Sequence, residues 1–177
     1  MTAFRTAVLA DCDSIVTLVE SAYRGDISRQ GWTTEADFLD GQRIDAEGVR
    51  ADIEKPGSCI LLAEQEGRLL ACCHLEKIGY ACYFGMFSVQ PRLQGSGIGK
   101  AMMQEAERRA RDEWHCHAME MTVIDIRDEL IAFYQRRGYV RTGIKKPFPY
   151  GDARYGLPKR ADLQFEILSK PLSETMP

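Results

Sequence analysis

Val89-Gln90-Pro91-Arg92-Leu93-Gln94-Gly95-Ser96-Gly97-Ile98-Gly99-Lys100 is the stretch on which the reading of this chain turns. It follows a β-rich run, Tyr80 to Val89, and enters an amphipathic one, Gly97 to about Trp114. There Ile98, Met102, Ala106, Ala110 and Trp114 form one apolar stripe. Glycine at alternate positions of a strand-to-helix turn lets backbone N–H groups converge where the helix N-terminus adds a partial positive charge. Such a turn suits a phosphate. The register excludes two nucleotide motifs. A P-loop needs glycine at the position of Gln94 and Ser or Thr at that of Ala101, and a dinucleotide fingerprint begun at Gly95 and Gly97 needs glycine at that of Lys100.

Periodicity gives a mixed order of strands and helices without an internal repeat or a dividing linker, so one α/β domain over residues 1–177 is expected. Before the turn come a strand near Phe4 to Val8 and a helix capped by Asp11, with Cys12, Ile15, Val16, Val19, Ala22 and Tyr23 on one face. A second helix runs from about Asp45 to Lys55, where Pro56-Gly57 stops it. The strands Cys59 to Gln65 and Arg68 to Lys77 are joined by Glu66-Gly67, a hairpin dipeptide. After the turn, Glu105 with Arg109 and Glu107 with Arg111 stand at the favourable helical spacing. Then follow a strand Ala118 to Ile124, a helix Arg127 to Arg137 ended by Gly138, a strand Tyr139 to Ile144, a loop Pro147 to Pro158 and a last strand Asp162 to Ser169. The region Arg24 to Arg43 reads as polar and irregular.

The Gln-x-x-Gly-x-Gly of Gln94, Gly97 and Gly99 resembles the pyrophosphate-binding motif of the GNAT superfamily of N-acetyltransferases. The likeness extends from the strand ending Phe87-Ser88-Val89 through the amphipathic helix to Ala132-Phe133-Tyr134-Gln135-Arg136-Arg137-Gly138-Tyr139. It implies an α/β (α+β) fold with a mixed, mostly antiparallel central sheet flanked by helices and a splayed central strand pair. It also implies acetyl-CoA as co-substrate, without a metal, bound by backbone groups of Phe87, Ser88 and Val89 and by Gln94, Gly95, Ser96, Gly97, Ile98, Gly99 and Lys100.

The reaction the resemblance implies is attack of an amine on a thioester in a ternary complex. It needs a neutral amine, a donor for the developing oxyanion and a proton for the departing thiolate. Tyr134 matches the tyrosine that many members place beside the sulfur, and a phenol of pKa about 10 donates at neutral pH. Backbone N–H groups near Val89 would meet the oxyanion. For the base, Glu76 ranks ahead of Glu120 and Asp125, each of which equally suits an exposed strand end. The family often has Asn seven residues before this tyrosine and Ala four before it, where this chain has Arg127 and Leu130. Arg127 suits a phosphate, a substrate carboxylate, or a surface pair with Asp128 or Glu129.

The acceptor side is less legible. Trp32 is the substrate-binding candidate; it and the loop aromatics Phe148, Tyr150 and Tyr155 either wall a pocket or staple their own loops. The acids Asp26, Glu35, Asp37, Asp40 and Asp45 offer either an acidic rim for a cationic amine or a solvated loop. A small-molecule amine is the expected acceptor, with a protein N-terminus or lysine as the alternative. Acyl length depends on a depth that Phe84, Met86 and Phe87 limit. A non-catalytic acyl-CoA sensor is the competing reading, against which Tyr134 weighs. Dimerisation is common in the family, though no stripe here demands it.

Composition narrows the classes further. With 45% hydrophobic and 28% charged residues over 177, the chain suits one full core. A net charge of -3 gives no basic face for nucleic acid. The longest apolar runs, Cys59 to Ala63 and Leu69 to Cys73, fall short of the roughly 20 residues a spanning helix needs. Met1-Thr2-Ala3-Phe4 opens no secretory signal, and the six scattered cysteines suit a reducing, cytoplasmic home. Cys72-Cys73-His74 and His115-Cys116-His117 lack metal-ligand spacing and alternate between faces, so neither zinc nor a Cys73–His74 nucleophile is expected.

Overall fold

Glu66 and Gly67 both adopt positive φ, 52° and 74°, the left-handed pair that a two-residue hairpin turn requires. They join β3 (Ser58–Gln65) to β4 (Arg68–Ile78) in the computed structural model, which describes residues 1–172. Residues 173–177 of the expected domain lie outside the described residues. Around this hairpin the sheet grows in both directions. On one side β1 (Ala3–Thr6) pairs with β3. On the other come β5 (Ala81–Val89), β6 (Ala118–Ile124), β9 (Gln164–Pro171) and β7 (Val140–Pro147). All neighbours are antiparallel except β5 and β6. The mixed, mostly antiparallel sheet flanked by helices is the expected one.

The uninterrupted apolar runs of β3 and β4 are explained by helices on both faces. Leu61, Cys73, Leu75 and Phe84 pack towards α4 (Ile98–Arg108), with its Met102, Met103 and Ala106. The alternate residues Ile60, Leu62 and Cys72 pack towards Ile15 and Val19 of α1 (Cys12–Tyr23) and Val49 of α3 (Ala46–Glu54). Each buried Leu, Ile, Val, Met or Phe side chain among these contributes about 1.5–3 kcal/mol. Cys72 and Cys73 therefore face opposite cores. Burial raises both thiols, Cys72 to about 12, as suits inert structural cysteines.

Local signals held in part. Asp45 caps α3 by accepting the Gly48 N–H at 2.8 Å. Asp11 does not cap α1; its carboxylate takes the Val8 N–H at 2.8 Å and pairs with Arg5. Glu105 pairs with Arg109 at 2.8 Å, but Glu107 turns from Arg111 to Lys170 at 2.7 Å and the Tyr139 hydroxyl at 3.0 Å, because β9 and the chain after α5 (Asp128–Gln135) lie over that face. The Arg24–Arg43 region is not wholly irregular. It holds α2 (Gly25–Ser28) and β2 (Leu39–Asp40), which pairs with β8 (Leu157–Pro158) of the later loop. That ribbon draws two distant loops together over one end of the sheet.

Candidate active site

β5 and β6 hold register only at Ala81↔Ala118, Cys82↔Met119 and Tyr83↔Glu120. Beyond Tyr83 the two parallel strands part. A β-bulge adds to this: the register with β4 shifts between Cys72 and His74, and Met86 sits at φ 50°. The gap is a cavity of about 340 Å³ that extends towards the β2–β8 ribbon. Phe84, Met86 and Phe87 line one wall, Met121 to Ile124 the other, and Tyr134 of α5 closes one end. The splay and Tyr134 thus lie at one cavity.

Four phenols line this space among the described residues: Tyr155 from the later loop, and Tyr134, Tyr23 and Tyr83 nearer the splay. Tyr134 is buried, and burial holds its hydroxyl well above the ordinary 10. Tyr23 is pushed up to about 12 for the same reason and donates its hydroxyl to the Phe87 carbonyl, fixing β5 at the bulge. Tyr83 lies across Gly85, where a Cβ would come within 2.5 Å of its ring. Gly85→Ala is therefore expected to push Tyr83 into the cavity and raise the acceptor KM several-fold, which steady-state kinetics would read.

At the other end of β5, the 3-10 turn Pro91–Leu93 leads into the glycine turn. Gly95 and Gly97 have φ of 86° and 92°, with open space where a Cβ would stand, and Gly97 precedes α4 directly. Gly99 has another role. A Cβ there would lie 3.2 Å from the Phe87 ring, so its absence seats α4 against β5. Among the described residues the backbone N–H groups of Gly95, Gly97, Ile98, Gly99 and Lys100 have no protein acceptor. Five free donors at a helix N-terminus fit a pyrophosphate. The Gln94 side chain does not join them: it accepts from the Trp32 N–H at 2.8 Å and donates to Thr33 Oγ1 at 2.7 Å and the Val89 carbonyl at 3.2 Å.

The other candidates scatter. Glu76 pairs with Lys55 at 2.5 Å and does not line the cavity; Asp125 pairs with Lys145 at 3.1 Å, and neither it nor Glu120 lines the cavity. Trp32 packs on Phe133 with centroids 5.2 Å apart, outside the lining, so it staples its loop. Phe148 and Tyr155 line the cavity and Tyr150 does not. Arg127 meets neither Asp128 nor Glu129. It binds Glu35 at 3.2 Å and donates to the Thr33 carbonyl at 2.6 Å. Arg24 pairs with the other oxygen of Glu35, making a buried Arg–Glu–Arg triad along the cavity wall. The five acids do not assemble into a rim: Asp37 pairs with Arg29 at 2.7 Å, Asp40 with Lys159 at 3.1 Å, Asp45 caps its helix, Asp26 is exposed, and of the five Glu35 alone lines the cavity. Tyr23, Tyr83 and Lys146 were not foreseen as lining residues, since no motif marks them.

A family model described as Acetyltransferase (GNAT) family matches residues 16–139. An uncharacterized protein of Bacillus subtilis (strain 168), YdhI, is 31% identical over 77 residues, 42% of this chain and 45% of that protein, so the match spans less than half of that relative. Among solved structures, a putative acetyltransferase of Salmonella typhimurium with its cofactor acetyl-CoA superposes with a TM-score of 0.69 at 19% identity, over 99% of this chain and 96% of that one. The ribosomal-protein-S18-alanine N-acetyltransferase of Escherichia coli gives 0.68 at 13% identity, over 99% and 97%. At those identities the likeness is one of fold. Among the described residues no helix is long and apolar enough to cross a membrane.

Proposed function

Since the chain belongs to the GNAT family of acetyltransferases, enzymes that use acetyl-CoA, we propose that it transfers the acetyl group to the primary amine of a small molecule by direct attack, with donor and acceptor bound together. The observation that carries this reading is the cavity itself. It opens in the splay of β5 and β6, and its volume of about 340 Å³ suits a small acceptor better than a folded protein surface. Acetyl-CoA supplies the thioester, whose C–S bond breaks as the C–N bond forms. In this reading the free N–H groups from Gly95 to Lys100 hold the pyrophosphate, and β5 from Phe87 to Val89, beyond its ladder with β6, binds the chain that carries the thioester through backbone groups other than the Phe87 and Val89 carbonyls, which Tyr23 and Gln94 already engage.

Tyr134 is assigned the donor to the leaving sulfur. Its raised pKa keeps it protonated at any neutral pH, so it stabilises the thiolate by a charge-assisted hydrogen bond while the proton released by nitrogen restores balance. No carboxylate base is required. Among the described residues Glu35 is the one carboxylate lining the cavity and is engaged by two guanidiniums, so the surroundings are cationic and disfavour an ammonium ion. The acceptor sheds its proton to solvent as it enters.

Calorimetric titration with acetyl-CoA, beside an assay of CoA release across an amine panel, tests the reading. Gly97→Ala forces a side chain to φ 92°, at a cost of about 1–2 kcal/mol, and is expected to weaken acetyl-CoA binding about tenfold or more. Wild-type protein that does not bind acetyl-CoA would sink the proposal.

A further inference from the structure

Among the described residues the cavity is lined by four cationic side chains, Arg24, Arg43, Arg127 and Lys146, against the single carboxylate of Glu35. Two of the four are engaged by Glu35, and they hold it from opposite sides. Arg43 and Lys146 have no carboxylate within salt-bridge distance among the described residues. Arg24 is only 8% exposed, yet its Nε has no partner. Arg43 is fixed at both ends: its backbone N–H is accepted by Glu20, and its guanidinium lies 5.5 Å over the Tyr23 ring. A half-buried guanidinium that is positioned but unpaired, in a cavity already cationic, lacks an anion.

Resting on the acetyltransfer reading above, we propose that the acceptor is an amine that carries a carboxylate, and that Arg43 is the residue that reads it. The carboxylate pairs with the guanidinium of Arg43, with Lys146 at the rim adding attraction. This leaves the amine to reach inward past Tyr83 towards the splay. The two ends of such a molecule are treated oppositely. The carboxylate gains a charge-assisted pair, whereas the ammonium meets like charge and is driven to the neutral form that attacks. A plain cationic amine would meet the repulsion without the pair.

The test is a panel of amines in matched pairs, each amino acid beside its own carboxamide, assayed for CoA release with the full chain. Arg43→Gln and Arg43→Lys are assayed in parallel. Wild type is expected to favour the carboxylate member at least tenfold in kcat/KM. In Arg43→Gln that preference falls about 10–100-fold, mostly through KM, and Arg43→Lys restores part of it. Acetyl-CoA titration of each variant separates the two levels of argument. Normal acetyl-CoA binding with carboxamides used as well as carboxylates overturns this inference and leaves acetyl transfer standing. A preference that survives Arg43→Gln also overturns it, as does a panel in which no carboxylate-bearing amine is acetylated. A wild-type chain that fails to bind acetyl-CoA overturns both.

Discussion

Tyr134→Phe is expected to lower kcat by about 10²- to 10³-fold while changing the Kd for acetyl-CoA less than threefold, because the ring stays and only the hydroxyl proposed to bond the leaving sulfur is lost. The ring is wedged among Phe133 and Tyr139, with centroids 5.4 and 6.0 Å away, so phenylalanine keeps the packing. The pH profile adds a second reading. Burial raises the Tyr134 phenol above its ordinary 10, so the protonated donor persists through the alkaline range. The wild-type rate is expected to rise as the acceptor deprotonates and then hold level to about pH 10, with no descending limb from a donor of ordinary pKa. A Tyr134→Phe enzyme with wild-type kcat would remove the phenol from the chemistry.

Glu35→Ala is expected to destabilise the fold by about 3–5 kcal/mol, since it leaves Arg24 and Arg127 buried without their shared counter-charge. Glu35 is 7% exposed and the Arg127 side chain 8%. The carboxylate bridges the end of α1 to the start of α5, so its loss also loosens the wall of the cavity. Urea denaturation reads the effect as a lower midpoint with an unchanged m value. Asp26→Ala, whose side chain is fully exposed, sets the scale at within about 0.5 kcal/mol. Equal midpoints for the two variants would mean that the triad does not stabilise the fold.

What the sequence made legible was local or periodic. The Glu66-Gly67 hairpin, the strand over Ala118–Ile124 and the Met102-Ala106-Ala110 stripe each depend on residues a few positions apart, and each formed. The splay of β5 from β6 came through the resemblance, because a run of alternating residues reads the same whether or not its neighbour diverges. The acceptor end was opaque for a different reason. Arg127 and Glu35 stand 92 residues apart in the chain, and no spacing rule connects them. Glu107 shows the same limit, preferring Lys170 at a distance of 63 residues over Arg111 beside it. Ion pairs of that kind are selected by the packed fold, after local preferences have been satisfied.

The amide of Gln94 stands between the two halves of the site. Gly31 must lack a side chain to admit it, for a Cβ there would lie 2.5 Å from Gln94 Oε1. Trp32 and Thr33 hang from this amide on one side, and the glycine turn continues from its backbone on the other. Thr33 in turn holds Arg127 through its carbonyl. The glycine turn and the Arg127 side of the cavity thus share one hydrogen-bonded support, and any coupling carried across it is mutual. Acceptor affinity is expected to rise severalfold in the presence of CoA, and Gln94→Ala to abolish most of that rise while both molecules still bind. Coupling of that kind is reciprocal, so whichever molecule arrived first would tighten the seat of the other, and the scaffold itself would impose no order.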